Sequence, residues 1–219
     1  MKLMKTISLI IFFLVTGVHL YASLKQDKQL RRLTKPFILL SLLAYYCFSV
    51  DQISWTVVAA ILFSWLGDVL LIPKGVKWFT AGGISFMVSH LFFIISYAGR
   101  TDFSLVPGWA FPLFAAVFLS ASVIIFYHLR PHLPKSLFYP MFFYLLLNGA
   151  MNCFAWFRSL AEKGTAGMIT AIGALLFFIS DSSLFFVRFK KDSRLKTHFL
   201  VMLTYAVGEF LIVLGLILG

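Results

Sequence analysis

Residues 165–187 read TAGMITAIGALLFFISDSSLFFV, and their single charged position is Asp181. A hydrocarbon core of roughly 30 Å takes about 20 helical residues to cross, so this stretch is long and apolar enough to span a membrane. A carboxyl in that setting costs roughly 2.5 to 3.5 kcal/mol on insertion scales, so intramembrane acids face a protein interior and serve a site. Two more acids sit in comparable runs, Asp68 in ISWTVVAAILFSWLGDVLLI (53–72) and Glu209 in HFLVMLTYAVGEFLIVLGLIL (198–218). A polar interior, holding a reaction or transport site, is expected.

Composition sets the class. Hydrophobic residues make up 61% of the 219, charged residues only 12%, and mean hydropathy is +0.94. This is an integral membrane protein. No Gly/Ser-rich linker or charge block divides the chain, so a single transmembrane domain over 1–219 is expected, all-α and folded as a polytopic bundle of about eight helices. The candidate spans are 4–24, 36–50, 53–72, 78–98, 109–129, 138–157, 165–187 and 198–218. Lys35-Pro36, Pro73-Lys74-Gly75, Arg100 to Pro107, Arg130 to Pro134, Glu162-Lys163-Gly164 and Arg188 to Lys196 punctuate them, with Pro36 at a first helical position. Cys47 and Cys153 fall in apolar runs and read as small buried hydrophobes. The first span also has the build of a signal peptide, with Lys2 and Lys5, an apolar run and Ala22-Ser23. Cleavage would strand Lys25, Lys28, Arg31, Arg32 and Lys35 outside, so it reads as a retained helix.

Lys and Arg number 14 in the odd loops, against 5 in the N-terminus and even loops. The positive-inside rule then places the odd loops in the cytoplasm and both termini outside, as in a bacterial inner membrane. The net charge of +11 reads as this topology signal and as attraction to anionic membrane lipids, with no aromatic-basic motif for nucleic acid. With that orientation, Asp68, five residues before Pro73, and Asp181, seven before Arg188, share a level about 7 to 10 Å below the surface. Lys35 lies at the same end, placed to meet a phosphate or a carboxylate. Glu209 and His90 fall nearer the midplane and make a candidate inner polar layer.

Helical spacing lines polar residues on single faces. Tyr144, Asn148, Asn152 and Trp156 recur every four residues, Phe86, His90, Phe93 and Tyr97 share another face, and Ser64–Asp68 and Tyr205–Glu209 are i, i+4 pairs. Asn148, Asn152 and Tyr205 read first as interhelical hydrogen-bond glue, and Ala81-Gly82-Gly83 and Gly173-Ala174 as close helix contacts. Zinc, serine-hydrolase and P-loop signatures are missing. The paired aspartates stay in view, but Trp65 and Ser180 stand where a membrane aspartyl protease needs Gly and Tyr.

Read together, Thr34-Lys35-Pro36, Trp65-Leu66-Gly67-Asp68, Phe86-x-x-Ser89-His90, Gly173 to Ser182, and Tyr205-x-x-Gly208-x-x-Leu211-Ile212 resemble, in order and spacing, the YhhN-like family of lysoplasmalogenases. Glu209 stands where that pattern commonly has Gln, and Phe93 where Tyr is frequent. The resemblance implies an ether hydrolase that cleaves the vinyl ether bond of a lysophospholipid substrate, with no metal or organic cofactor. On that reading Asp68 and Asp181 form an acid/base pair, His90, Asn152, Tyr205 and Glu209 give a supporting polar shell, and Lys35 binds the head-group phosphate. A proton-coupled carrier of a small lipid or solute, using the same acids as a relay, is the alternative, and a structural membrane protein is a third.

Overall fold

The computed structural model describes residues 2–162, 164–190 and 198–219. Lys163 and the seventh-loop cations Lys191, Arg194 and Lys196 lie outside the described residues. The described residues form eight α-helices and no strand: α1 (Lys2–Leu24), α2 (Lys28–Cys47), α3 (Trp55–Leu70), α4 (Val76–Ala98), α5 (Ala110–Leu129), α6 (Phe138–Ala161), α7 (Thr165–Phe189) and α8 (Phe199–Leu218). The all-α bundle expected from hydropathy is therefore the fold, and six of the helices are long and apolar enough to cross a membrane. The exceptions are α3, with only 16 residues, and α2, whose first two turns carry Lys28, Arg31, Arg32 and Lys35.

The start of α2 corrects the sequence reading. The helix opens at Lys28, not at 36, because Asp27 Oδ1 accepts the Gln29 and Leu30 amides at 3.0 Å each, a strong N-cap. Pro36 thus lies inside the helix, and its carbonyl takes the Trp65 indole N–H of α3 at 3.0 Å. The four basic residues assigned to a loop stay at the same end of the bundle as the first turns of a helix.

Seven helices close a ring in which α1 meets α2, α2 meets α3, α3 meets α4, α4 meets α6, α6 meets α7, α7 meets α8, and α8 returns to α1. Helix α5 is left outside, packed on α6 and α7. At the seam with α8, Phe12 of α1 stacks on Phe210 at 5.6 Å, so residues 2–24 form a wall of the bundle.

Small residues set the closest approaches. A Cβ on Gly173 would lie 2.6 Å from the Ile212 amide nitrogen, and one on Gly208 2.9 Å from the Gly173 carbonyl, so α7 and α8 touch backbone to backbone. Gly82 packs as expected, its Cβ position 2.9 Å from Leu71 Cγ, whereas an added Cβ on Gly83 meets nothing within 4 Å.

The end of α8 corrects a second assignment. Arg158, counted in a loop, belongs to α6 and is 1% exposed. It pairs with Glu162 at 3.3 Å and donates to Thr170 Oγ1 at 3.1 Å and the Gly215 carbonyl at 3.2 Å. Arg100 donates to the Leu216 carbonyl at 2.8 Å. Two guanidinium groups thus take two of the carbonyls in the last turn of α8, where the helix dipole favours cations.

Gly208→Leu should separate α7 from α8 and destabilise the detergent-solubilised protein by about 1–3 kcal/mol. Gly83→Ala should leave its melting temperature unchanged or slightly raised, and thermal unfolding of the two variants side by side checks the contrast.

Candidate functional site

One end of the ring is hollow. A cavity of about 260 Å³ is lined by Asp68 of α3, Asp181 of α7, Lys35 of α2, Tyr144 of α6 and Tyr205 of α8. The shared depth read from the sequence is realised as one chamber, reached from elements far apart in the chain. Lys28, Arg32, Lys74 and Arg188 also line it, and their exposure marks the mouth. Phe79, Phe86, Leu184 and Phe185 make an apolar wall. The chamber therefore joins a cationic mouth to an apolar wall.

Both carboxyls are buried but stand in different electrostatic settings. Asp68, 2% exposed, has Lys35 Nζ 3.0 Å from Oδ1 and accepts the Tyr205 hydroxyl on Oδ2 at 2.8 Å. A cation and a donor so placed favour its carboxylate form, since an unpaired buried charge costs several kcal/mol. Asp181, 5% exposed, is met only by neutral donors. The Tyr144 hydroxyl makes a short hydrogen bond to Oδ2, Asn148 Nδ2 donates to the same oxygen at 2.9 Å, and Oδ1 has no hydrogen bond among the described residues. Tyr205, Tyr144 and Asn148, which sequence alone ranks as glue or as part of a stripe, are thus the partners that orient the two acids.

The other expected members of the polar shell lie farther off. His90 Nε2 is 3.9 Å from Asp181 Oδ2, beyond hydrogen-bond range, and its ring stands edge-on to Tyr144 and Phe177 at 5.2 and 5.3 Å. Asn152 does not reach either aspartate; its amide donates to the Asn148 carbonyl at 3.0 Å, bracing the residue that does. Glu209 is fully buried and approaches the Ser64 hydroxyl without closing a hydrogen bond of ordinary geometry. The spacing pairs Ser64–Asp68 and Tyr205–Glu209 are not used. Ser64 bonds Ser89 across α3 and α4 at 2.8 Å, and Tyr205 of α8 reaches Asp68 of α3 instead. Trp156 turns away from the stripe and stacks on Phe114 of α5 at 5.3 Å.

Sequence reasoning missed His19. It lies in α1, is 1% exposed, lines the cavity and has Nδ1 2.8 Å from Thr34 Oγ1. A histidine inside an apolar span near the dense positive charge of the next helix is the signal that could have flagged it. Among the described residues no group of three or more His, Cys, Asp or Glu is arranged to hold a metal ion.

The fold and chamber define a helical membrane protein with a paired-carboxyl cavity open at a basic end. The chain belongs to the YhhN family, which it matches over residues 30–216. No curated protein and no solved structure matches it.

Lys35→Met should leave the Asp68 carboxylate buried without its cation and destabilise the fold by about 3–5 kcal/mol. The double variant Lys35→Met/Asp68→Asn should recover most of that loss, measured by thermal or denaturant unfolding in detergent.

Proposed function

We propose that this protein hydrolyses the vinyl ether bond of a lysoplasmalogen, releasing a fatty aldehyde and glycerophosphoethanolamine or glycerophosphocholine. The observation that carries this reading is the pair of buried carboxyls on one cavity, one beside a cation and one among neutral donors. Unlike environments let two carboxyls divide the acid and base roles.

Asp181 serves as the acid. Its Oδ2 is occupied by two donors, so its proton lies on the unbonded Oδ1. Transfer of that proton to the outer alkene carbon converts R–CH=CH–O–R′ into the oxocarbenium R–CH₂–CH=O⁺–R′. Asp68, kept anionic by Lys35, faces the developing positive charge and takes a proton from the water that adds to it. The resulting hemiacetal collapses to R–CH₂–CHO and HO–R′ as its hydroxyl gives a proton back to Asp181 and Asp68 passes the proton it took from water to the leaving OR′ oxygen. An oxocarbenium flanked by two carboxyls is the arrangement other acid-catalysed acetal and glycoside hydrolyses use.

The cations of the mouth meet the phosphate, and the Phe-rich wall takes the single chain. Lys35 contributes through Asp68 rather than through the head group, because its ammonium is already engaged there. On the Lys and Arg bias, the mouth opens to the cytoplasmic side of a bacterial inner membrane.

Asp68→Asn and Asp181→Asn should each lower turnover at least about 10²-fold, as the loss of a general acid or base does, with the folded state intact. Aldehyde release from lysoplasmalogen by the purified protein in detergent is the decisive assay. A carrier would release none, and near-normal turnover in either folded variant would rule out the paired-acid mechanism. A reporter fused at Gly219 should be active only for an external-side marker, which checks the sidedness.

A further inference from the structure

His19 is a cavity-lining histidine whose hydrogen-bond direction is set by its neighbours. Thr34 Oγ1 lies 2.8 Å from the Leu30 carbonyl and 2.8 Å from His19 Nδ1. Two oxygens approach that closely only with a proton between them, and the carbonyl has none to offer. The Thr34 hydroxyl therefore donates to Leu30 and must accept from His19, which fixes the Nδ1–H tautomer. The lone pair of the neutral ring is then on Nε2. That atom is buried and has no hydrogen-bond partner, in a side chain 1% exposed that lines the cavity.

Around it the cavity lining from α2 is cationic, with Lys28, Arg31 and Arg32 besides the Lys35 ammonium already paired with Asp68. Ammonium and guanidinium groups only donate, and they recognise an anion. His19 Nε2 is a lone acceptor among them. An occupant that satisfies both carries a phosphate and, next to it, a hydrogen-bond donor. In a single-chain glycerophospholipid that donor is the free glycerol hydroxyl one carbon from the phosphate-bearing carbon; in a diacyl lipid it is esterified and the donor is gone.

Resting on the function proposed above, we infer that His19 is the specificity-determining residue that reads this free hydroxyl, accepting its proton at Nε2 while the cations hold the phosphate. A lipid blocked at the hydroxyl leaves Nε2 buried and unpaired, the situation in which polar sites reject an analogue most strongly.

The test is a binding measurement on the full-length protein in detergent. The ligands are a saturated 1-O-alkyl glycerophosphoethanolamine, which has no bond to hydrolyse, its 2-O-methyl ether, the corresponding alkylglycerol without phosphate, and inorganic phosphate. Wild type should bind the free-hydroxyl phospholipid roughly 10- to 100-fold more tightly than the methyl ether. It should bind the alkylglycerol and inorganic phosphate more weakly than the free-hydroxyl phospholipid. His19→Leu should bring the two phospholipids to within about 3-fold of each other by weakening only the free-hydroxyl one, a ratio that general loosening of the fold would not move. Thr34→Val, which removes the acceptor fixing the ring, should lower the same ratio and decides the matter if His19→Leu does not fold. Absence of hydroxyl preference in wild type, or an unchanged preference in either folded variant, overturns the inference. Hydroxyl preference without aldehyde release from the vinyl ether lipid would remove the proposed hydrolysis and leave His19 in its role; aldehyde release without the preference would do the reverse.

Discussion

A carboxylate inside an apolar bundle has to be met by a cation and by hydrogen-bond donors, and the Lys35–Asp68 pair at 3.0 Å is where this protein meets that demand. Its geometry reaches well beyond two side chains. For Lys35 to arrive at Asp68, α2 must already be helical there, which the Asp27 cap secures by starting the helix at Lys28. Helix α2 must also lie against α3, and the Trp65 indole on the Pro36 carbonyl fixes that contact one residue from the ion pair. Tyr205 on the other oxygen of Asp68 ties in α8. One buried charge thus binds three helices of the ring at its basic end.

Close packing supplies what charge does not. Helices α7 and α8 approach through Gly173 and Gly208 until backbone meets backbone, which brings Tyr205 of α8 and Asp181 of α7 to the same chamber. At the opposite end, Arg158 and Arg100 take the last carbonyls of α8. The helix is therefore held at one end by an acid's partner and at the other by two bases. Its middle carries Glu209, buried and without a hydrogen bond of ordinary geometry among the described residues.

The asymmetry between the two acids follows from which helices face them. Asp68 looks toward the basic turns of α2, whereas Asp181 looks toward α6, whose stripe offers a phenol and an amide but no charge. Similar side chains at similar depth thereby acquire different chemistry. Difference in surroundings, rather than the presence of two acids, is what the proposed reaction draws on, since it needs a proton donor and an anion together.

Much of this was legible in the chain itself. Hydropathy determined the all-α class and the number of helices, since each apolar run must satisfy its own backbone in lipid. Counting residues from the helix ends put Asp68 and Asp181 at one depth, because helical rise is constant. The sequence also carried the stripe of Tyr144, Asn148 and Asn152, since position along one helix face is a local property. Tertiary structure alone decided which acids those residues serve, that Tyr205 binds Asp68 across helices instead of Glu209 on its own, and that Arg158 is buried in α6 rather than exposed in a loop. It alone placed α5 outside the ring and His19 beside Thr34. Partner choice depends on the rotation and neighbours of each helix, set by packing of residues distant in the chain, and no local pattern of residues encodes them.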